Sequence, residues 1–371
     1  MTEPASGVLP SQCLAALLTE GAISAPDATP GAIAATQIQP ASLDLRLGAR
    51  GWRVRASFLA GRTRTVAERI AEFGMHEIDL RPGAVLETGC VYVVELAERL
   101  RLPGDVSGAA NAKSSTGRLD LFTRLVADRQ TEFDRIAEGY AGPLYAEISP
   151  RTFSVLVRPG TRLNQIRLRR GAAGIDDRAL RALHGAEPLV DTDALIDGGL
   201  GFSVDLCPRP PDGIVGWRAR RHAGLIDLDR IGHYAVEEFW EPVRARRSGG
   251  IILDPGAFYI LVSREAVTIP PGVAAEMLPY MAVAGEFRVH YAGFFDPGFG
   301  HGGTGGAGSR GVLEVRCHEA PFALEHGQMV GRLVFERMAA VPDRLYGEGI
   351  GSTYQGQALK LSKHFRAPSV D

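Results

Sequence analysis

The feature that most constrains this chain is a repeat. The run VYVVELAERLRLP at 91–103 matches FYILVSREAVTIP at 258–270, a shift of 167 that places Tyr92 on Tyr259 and Pro103 on Pro270. The same shift carries Glu147 onto Glu314 and Gly160 onto Gly327. Upstream, Ser42-Leu43-Asp44-Leu45 resembles Ser203-Val204-Asp205-Leu206 at a slightly smaller offset, a drift that small insertions explain. Self-similarity at this spacing means a duplicated folding unit, and 371 residues suffice for two ordinary cores. Two tandem domains are expected, 1–190 and 191–371.

Within each copy, short Val/Ile/Leu runs alternate with polar residues and are punctuated by turns such as Arg81-Pro82-Gly83, Arg158-Pro159-Gly160 and Asp254-Pro255-Gly256. That pattern predicts an all-β chain of barrel or jelly-roll type. A helix is predicted over 11–20, with Ser11 as its N-cap, and another over 176–183.

A formal net charge of −2 gives no bulk attraction for nucleic acid or an anionic membrane, so any phosphate must be met by a local site. Cys13, Cys90, Cys207 and Cys317 lie far apart with no CxxC pair, which argues against a disulfide framework or structural zinc. The spacing of His290, His318 and His326 matches no metal site, and the His-x-Glu with Pro-Cys-x-x-Cys of zinc nucleobase deaminases is absent. With no leader and no long apolar run, a soluble, cytoplasmic protein is expected.

Two places carry chemistry. Lys113-Ser114-Ser115-Thr116-Gly117-Arg118 offers two cations, three hydroxyls and a glycine in six residues, enough to surround a polyphosphate with directional donors. A solvated turn is the plain alternative. Glu147 interrupts an apolar strand pattern, and a carboxylate there is costly unless it is paired or used as a base. Its plain alternative is a glutamate on the solvent face. The glycine-rich stretch 301–310 resembles a phosphate loop but lacks Gly-Lys-Ser/Thr, so a hairpin insertion is expected.

Taken in order, Pro40-Ala41-Ser42-Leu43-Asp44-Leu45-Arg46-Leu47-Gly48, the Lys113 to Arg118 segment, Ala127-Asp128-Arg129 ahead of Glu147, and the tail Ser352-Thr353-Tyr354-Gln355-Gly356-Gln357 resemble the dCTP deaminase branch of the dUTPase superfamily. The resemblance implies two dUTPase-like domains (β-clip, distorted jelly-roll barrels) with a few short helices. It also implies zinc-independent hydrolysis of dCTP to dUTP and ammonia. Glu147 would shuttle the proton, Ser114 and the Ala127 carbonyl would orient the water, and Arg118 would hold developing charge. Lys113, Ser115, Arg129, Tyr346, Tyr354 and Gln357 would bind substrate, the last three on a C-terminal lid, with Mg²⁺ accompanying the triphosphate. A homo-oligomer, a trimer by preference, and inhibition by dTTP also follow from the resemblance.

The chain departs from the pattern in four ways. Lys113 stands where the family has Arg, and Thr353 where it has Lys. The Asp-Pro-Gly that follows the Ala-His-Arg segment is replaced by the longer stretch 130–140. Copy two sets Tyr280, Met281, Ala282 and Gly285 opposite Lys113, Ser114, Ser115 and Arg118, which points to a degenerate partner with Glu314 structural. Two rivals share the fold: a dUTP diphosphatase, alone or combined with deamination, and a nucleotide-binding protein without catalysis.

Overall fold

The computed structural model describes residues 5–27, 29–208, 212–246, 249–279, 287–289, 293–304, 306–317, 319–347 and 356–366. The chain is mostly β and divides into two compact units. The first comprises Met1–Ala173, Gly224–His233 and Met338–Asp343; the second comprises Gly174–Ala223, Tyr234–Arg337 and Arg344–Asp371.

The first unit begins with α1 (Ser11–Thr19). Pro10 occupies the cap position and gives no side-chain cap, so Ser11 is the first helical residue, not the predicted N-cap. Its hydroxyl instead donates to the carboxylate of Asp343. There follow β1 (Leu43–Val54), α2 (Val66–Phe73), β2 (Gly74–Asp79), β3 (Val91–Arg101), β4 (Val106–Ala112), α3 (Ser114–Gly117), β5 (Leu121–Ala127), β6 (Arg135–Ile136), β7 (Ala141–Pro150) and β8 (Arg162–Arg170). The main antiparallel path runs β5-β7-β3-β1-β8-β4-β6, a near-closed barrel. Alternation builds its core: Leu43, Leu45 and Leu47 are fully buried on β1, as are Ile166 and Leu168 on β8. On the face of β3, β5 and β7 a smaller apolar cluster of Val54, Phe58, Val66, Ile70, Val93, Val126 and Tyr145 collects under α2.

In the second unit α4 (Asp177–Ala186) starts where predicted, because the Asp176 carboxylate accepts the Ala179 N–H at 2.8 Å, and it runs three residues longer. The strands include β9 (Leu200–Ser203), β10 (Ile214–Ala219), β11 (Trp240–Arg244), β12 (Phe258–Val267), β13 (Val273–Pro279), β14 (Phe287–Val289), β15 (Phe294–Phe295), β16 (Ser309–Cys317), β17 (Phe322–Leu324) and β18 (Met329–Arg337). They form one sheet ordered β9-β18-β13-β15 and another ordered β11-β10-β12-β16-β14. Phe202, Tyr259, Leu261, Leu313 and Phe335 sit in its core.

The duplication is visible in hydrogen bonds. The Tyr92 hydroxyl accepts the Glu87 N–H at 3.1 Å, and the Tyr259 hydroxyl accepts the Asp254 N–H at 2.9 Å. Glu147 pairs with Val93 as Glu314 pairs with Ile260. The upstream motif, however, does not align as its letters suggest. Gly160 N–H donates to Leu47 O (2.7 Å) as Gly327 N–H donates to Val204 O (2.8 Å). Leu47 also faces Leu96, and Val204 faces Ser263. Buried Glu98 accepts from the Arg46 backbone and side chain; Glu265 does the same for Ser203. Arg46 is therefore the counterpart of Ser203, and Asp205 corresponds to Gly48, not to Asp44. Backbone pairing fixes register here, and four similar letters do not outweigh it.

Candidate active site

Strand β4 ends at Ala112, and the Lys113 N–H donates to Leu163 O at 2.9 Å, which pins the start of the polar segment to the barrel wall. Lys113 then caps the single turn of α3, its carbonyl accepting from Thr116 (2.8 Å) and Gly117 (3.0 Å). Ser115, Thr116 and Arg118 are buried, while Lys113 and Ser114 are half-buried. The ammonium of Lys113 pairs with the Asp44 carboxylate, whose second oxygen lies 3.5 Å from Arg162. The first two sequence motifs therefore meet in an ion pair.

Glu147 lies in the middle of β7, opposite Arg124 on β5 and Val93 on β3. Residues directly opposite in antiparallel strands share a face, so all three point into the apolar cluster under α2. The carboxylate is 2% exposed. Arg124 donates twice to the same oxygen, Nη2 at 2.5 Å and Nε at 3.2 Å from Oε1. Its guanidinium also donates to Ser57 Oγ at 3.0 Å and stacks 3.5 Å from the Phe133 ring. Oε2 is buried and has no hydrogen-bond partner. An unmet buried acceptor costs about 1–3 kcal/mol, more when charged, so Oε2 is the unsatisfied end of this carboxylate. Ser149 Oγ, two residues along and on the same face, is likewise buried and unpartnered. Burial pushes the neighbouring Tyr145 phenol up to about 12, which keeps it neutral within the cluster.

Sequence reasoning missed Arg124, Phe133 and Ser149. Only the hairpin register places Arg124 against Glu147, and the long connection between β5 and β7 hides that register from the sequence. The connection is itself ordered. The Asp134 carboxylate accepts the Leu125 N–H at 2.7 Å, and Arg135 and Ile136 pair with Ala109 and Gly108.

The other predicted site residues are placed differently. Ala127 pairs with Leu144, three residues or roughly 10 Å along the ladder from Glu147. Asp128 accepts the Val66 N–H at 2.7 Å at the start of α2. Arg129 is exposed, with φ 57° and its N–H on Arg64 O. The structure thus gives the Ala127-Asp128-Arg129 segment a helix-capping position and does not bring Ala127 beside the carboxylate. In the second unit Tyr346 packs 5.5 Å from Phe299, and Gln357 bonds to Ser309 Oγ and Arg310 O. Tyr354, Tyr280, Met281, Ala282 and Gly285 lie outside the described residues. Glu314, like Glu147, is buried.

Residues 5–172 match the family of 2'-deoxycytidine 5'-triphosphate deaminase N-terminal domains, and residues 176–365 match the C-terminal domains of the same family. The chain belongs to the dCTP deaminase family. Its fold is similar to a 2'-deoxycytidine 5'-triphosphate deaminase from Agrobacterium tumefaciens, with a TM-score of 0.86 and 52% identity over 90% of this chain and 99% of that one. The "dCTP deaminase, dUMP-forming" of Beutenbergia cavernae is 36% identical over 110 residues, 29% of this chain and 53% of that protein. The dCTP deaminase of Haloarcula marismortui is 30% identical over 144 residues, 37% of this chain and 68% of that protein. Among the described residues no helix is long and apolar enough to cross a membrane.

Proposed function

We propose that this member of the dCTP deaminase family hydrolyses dCTP to dUTP and ammonia with Glu147 as the proton shuttle. The observation that carries the reading is the divided state of its carboxylate, one oxygen held by two Arg124 N–H groups and the other buried without a partner. A base needs a free lone pair at a fixed position, and this arrangement supplies it. Water attacks C4 of the cytosine while Glu147 takes one of its protons and delivers it to N3; the proton of the new C4 hydroxyl then passes by way of Glu147 to N4, the C4–N4 bond breaks, and ammonia leaves as C4 becomes a carbonyl. Ser114 orients the water and Arg118 stabilises charge at the ring. Lys113 and Ser115 meet the triphosphate, with Lys113 leaving Asp44 as the phosphates arrive. Mg²⁺ enters as part of the substrate and offsets repulsion among phosphate oxygens.

This reading does not call on Ala127 or Arg129, and it leaves Tyr346 and Gln357 as lid residues to be tested separately. Homotrimeric assembly and inhibition by dTTP belong to the same reading through the resemblance. A second reading, further hydrolysis to dUMP and diphosphate, draws on the dUMP-forming relatives. Product analysis separates the two, since dUTP, dUMP and diphosphate are distinct. For the central step, Glu147→Gln keeps shape and removes the base. Ammonia release should fall at least 100-fold while dCTP still binds. Near-normal turnover in that variant would refute the assignment.

A further inference from the structure

We propose that the second unit carries a Zn²⁺ site built from Asp205 Oδ1, Cys207 Sγ and His326 Nδ1, with water as the fourth ligand. One donor atom from each residue lies within 4.8 Å of the other two. His326 Nδ1 is 3.4 Å from Asp205 Oδ1 and 3.6 Å from Cys207 Sγ. Tetrahedral zinc bound to S, N and O at its usual bond lengths sets ligand atoms about 3.3–3.6 Å apart, the spacing His326 Nδ1 already keeps from both other donors.

The Leu206 N–H donates to Nδ1 at 3.1 Å, so this nitrogen faces the 205–207 segment, and Cys207 Sγ lies 3.6 Å from both ring nitrogens; a metal would take the place of that N–H group, with a small turn of the thiol toward Nδ1. The two halves of the site are clamped together by backbone. Val204 donates to Gln328 O at 3.0 Å and accepts from Gly327 at 2.8 Å, and Gln328 closes the 325–328 turn onto Glu325 O at 3.1 Å. Asp205 is additionally fixed by its bond from the Cys207 N–H at 3.0 Å, with Arg310 3.6 Å from the other oxygen, Oδ2. Asp205 is buried, whereas Cys207 and His326 open to solvent, which gives an ion an entry path and a place for water.

The site is not a relic of the shared fold. The backbone equivalences put Gly48 and Pro159 of the first unit where the second has Asp205 and His326, and Cys207 lies in the stretch that the second copy lengthens before Trp217 pairs with Ile260 as Trp52 pairs with Val93. Neither Gly48 nor Pro159 offers a side chain that can ligate a metal, and the third residue, Cys207, is supplied by the added stretch. The set mixes thiolate, imidazole and carboxylate, which favours Zn²⁺ over Mg²⁺ or Ca²⁺. Sequence spacing gave no sign of it, because the residues reach one corner from opposite ends of the unit.

The test uses the full-length chain, reduced and stripped of metal by chelator. Zn²⁺ titration should show one ion per chain, and Cys207→Ser and His326→Ala should each weaken binding at least 10-fold. Co²⁺ in the same site should give a near-ultraviolet thiolate-to-cobalt band that Cys207→Ser abolishes. Zn²⁺ should raise the melting temperature of the parent chain and leave that of Cys207→Ser unchanged. The proposal is overturned if stoichiometric binding is absent, if the double variant binds as tightly as the parent, or if the cobalt band survives in Cys207→Ser, which would assign it to Cys13, Cys90 or Cys317. Unchanged circular dichroism of both variants in the absence of metal separates loss of a ligand from loss of fold.

Discussion

Replacing Arg124 by Leu leaves the Glu147 carboxylate in an apolar cluster without its one described donor. Breaking a fully buried ion pair by removing one partner costs about 3–5 kcal/mol. Here the Glu147 side chain is 2% exposed but the Arg124 side chain is 24% exposed, so solvent screens part of the interaction and the expected loss falls to about 2–4 kcal/mol. For a unit of this size each kcal/mol moves the midpoint by about 2–4 °C, so the first unit should melt roughly 4–16 °C lower. Scanning calorimetry on the full chain reads this directly. The cause is the uncompensated charge, so Glu147→Gln introduced into the Arg124→Leu background should recover at least half of the loss. Near-coincident melting of Arg124→Leu and the parent, or strict additivity in the double variant, would show that the two side chains are not coupled.

Four further outcomes follow from the same structure. Lys113→Ala should raise KM for dCTP about 10-fold with kcat changed far less, because the ammonium meets phosphate in both ground and transition states. Arg129→Ala should leave deamination within about 2-fold. Asp128→Ala should cost about 1 kcal/mol through the lost bond to the Val66 N–H, visible as faster hydrogen exchange in the first turn of α2. Asp227, whose carboxylate accepts from Arg158 at 2.8 and 3.2 Å, is held below the usual carboxylate range chiefly by that guanidinium. A group depressed in the folded state stabilises fully above its unfolded value near 4 and loses that contribution as pH falls through the folded value. Stability of the first unit should therefore fall as pH drops below about 4, and less steeply in Asp227→Asn.

The duplication was legible because its marker residues are constrained by packing and backbone bonds. Tyr92 and Tyr259 each receive a backbone N–H from five residues upstream, so both survive in both copies at a fixed shift. The Ser42-Leu43-Asp44-Leu45 comparison failed because alternating strand residues of either copy can produce such a string, and only the pairing of Leu47 with Leu96 and Val204 with Ser263 decides between registers. Glu147 was legible as a charge in an apolar strand. Arg124 was not, since an arginine every few residues is ordinary in this chain and its partner lies across a hairpin of unknown register. Ala127-Asp128-Arg129 resembles the family's Ala-His-Arg only at its first and last letters, and Asp128 is drawn off to accept the Val66 N–H at the start of α2. The replacement for the missing Asp-Pro-Gly is held by Asp134, which accepts from the Leu125 N–H.

The most direct test of the central claim is a crystal structure of the Glu147→Gln chain with dCTP bound, since the amide retains the carboxylate's shape and traps the substrate. The cytosine ring should lie with N3 and C4 within hydrogen-bonding reach of the side-chain atom that replaces Oε2, and the triphosphate should run toward Lys113 and Ser115. A pyrimidine bound elsewhere, with that atom still enclosed by Val93 and the α2 cluster, would contradict the account.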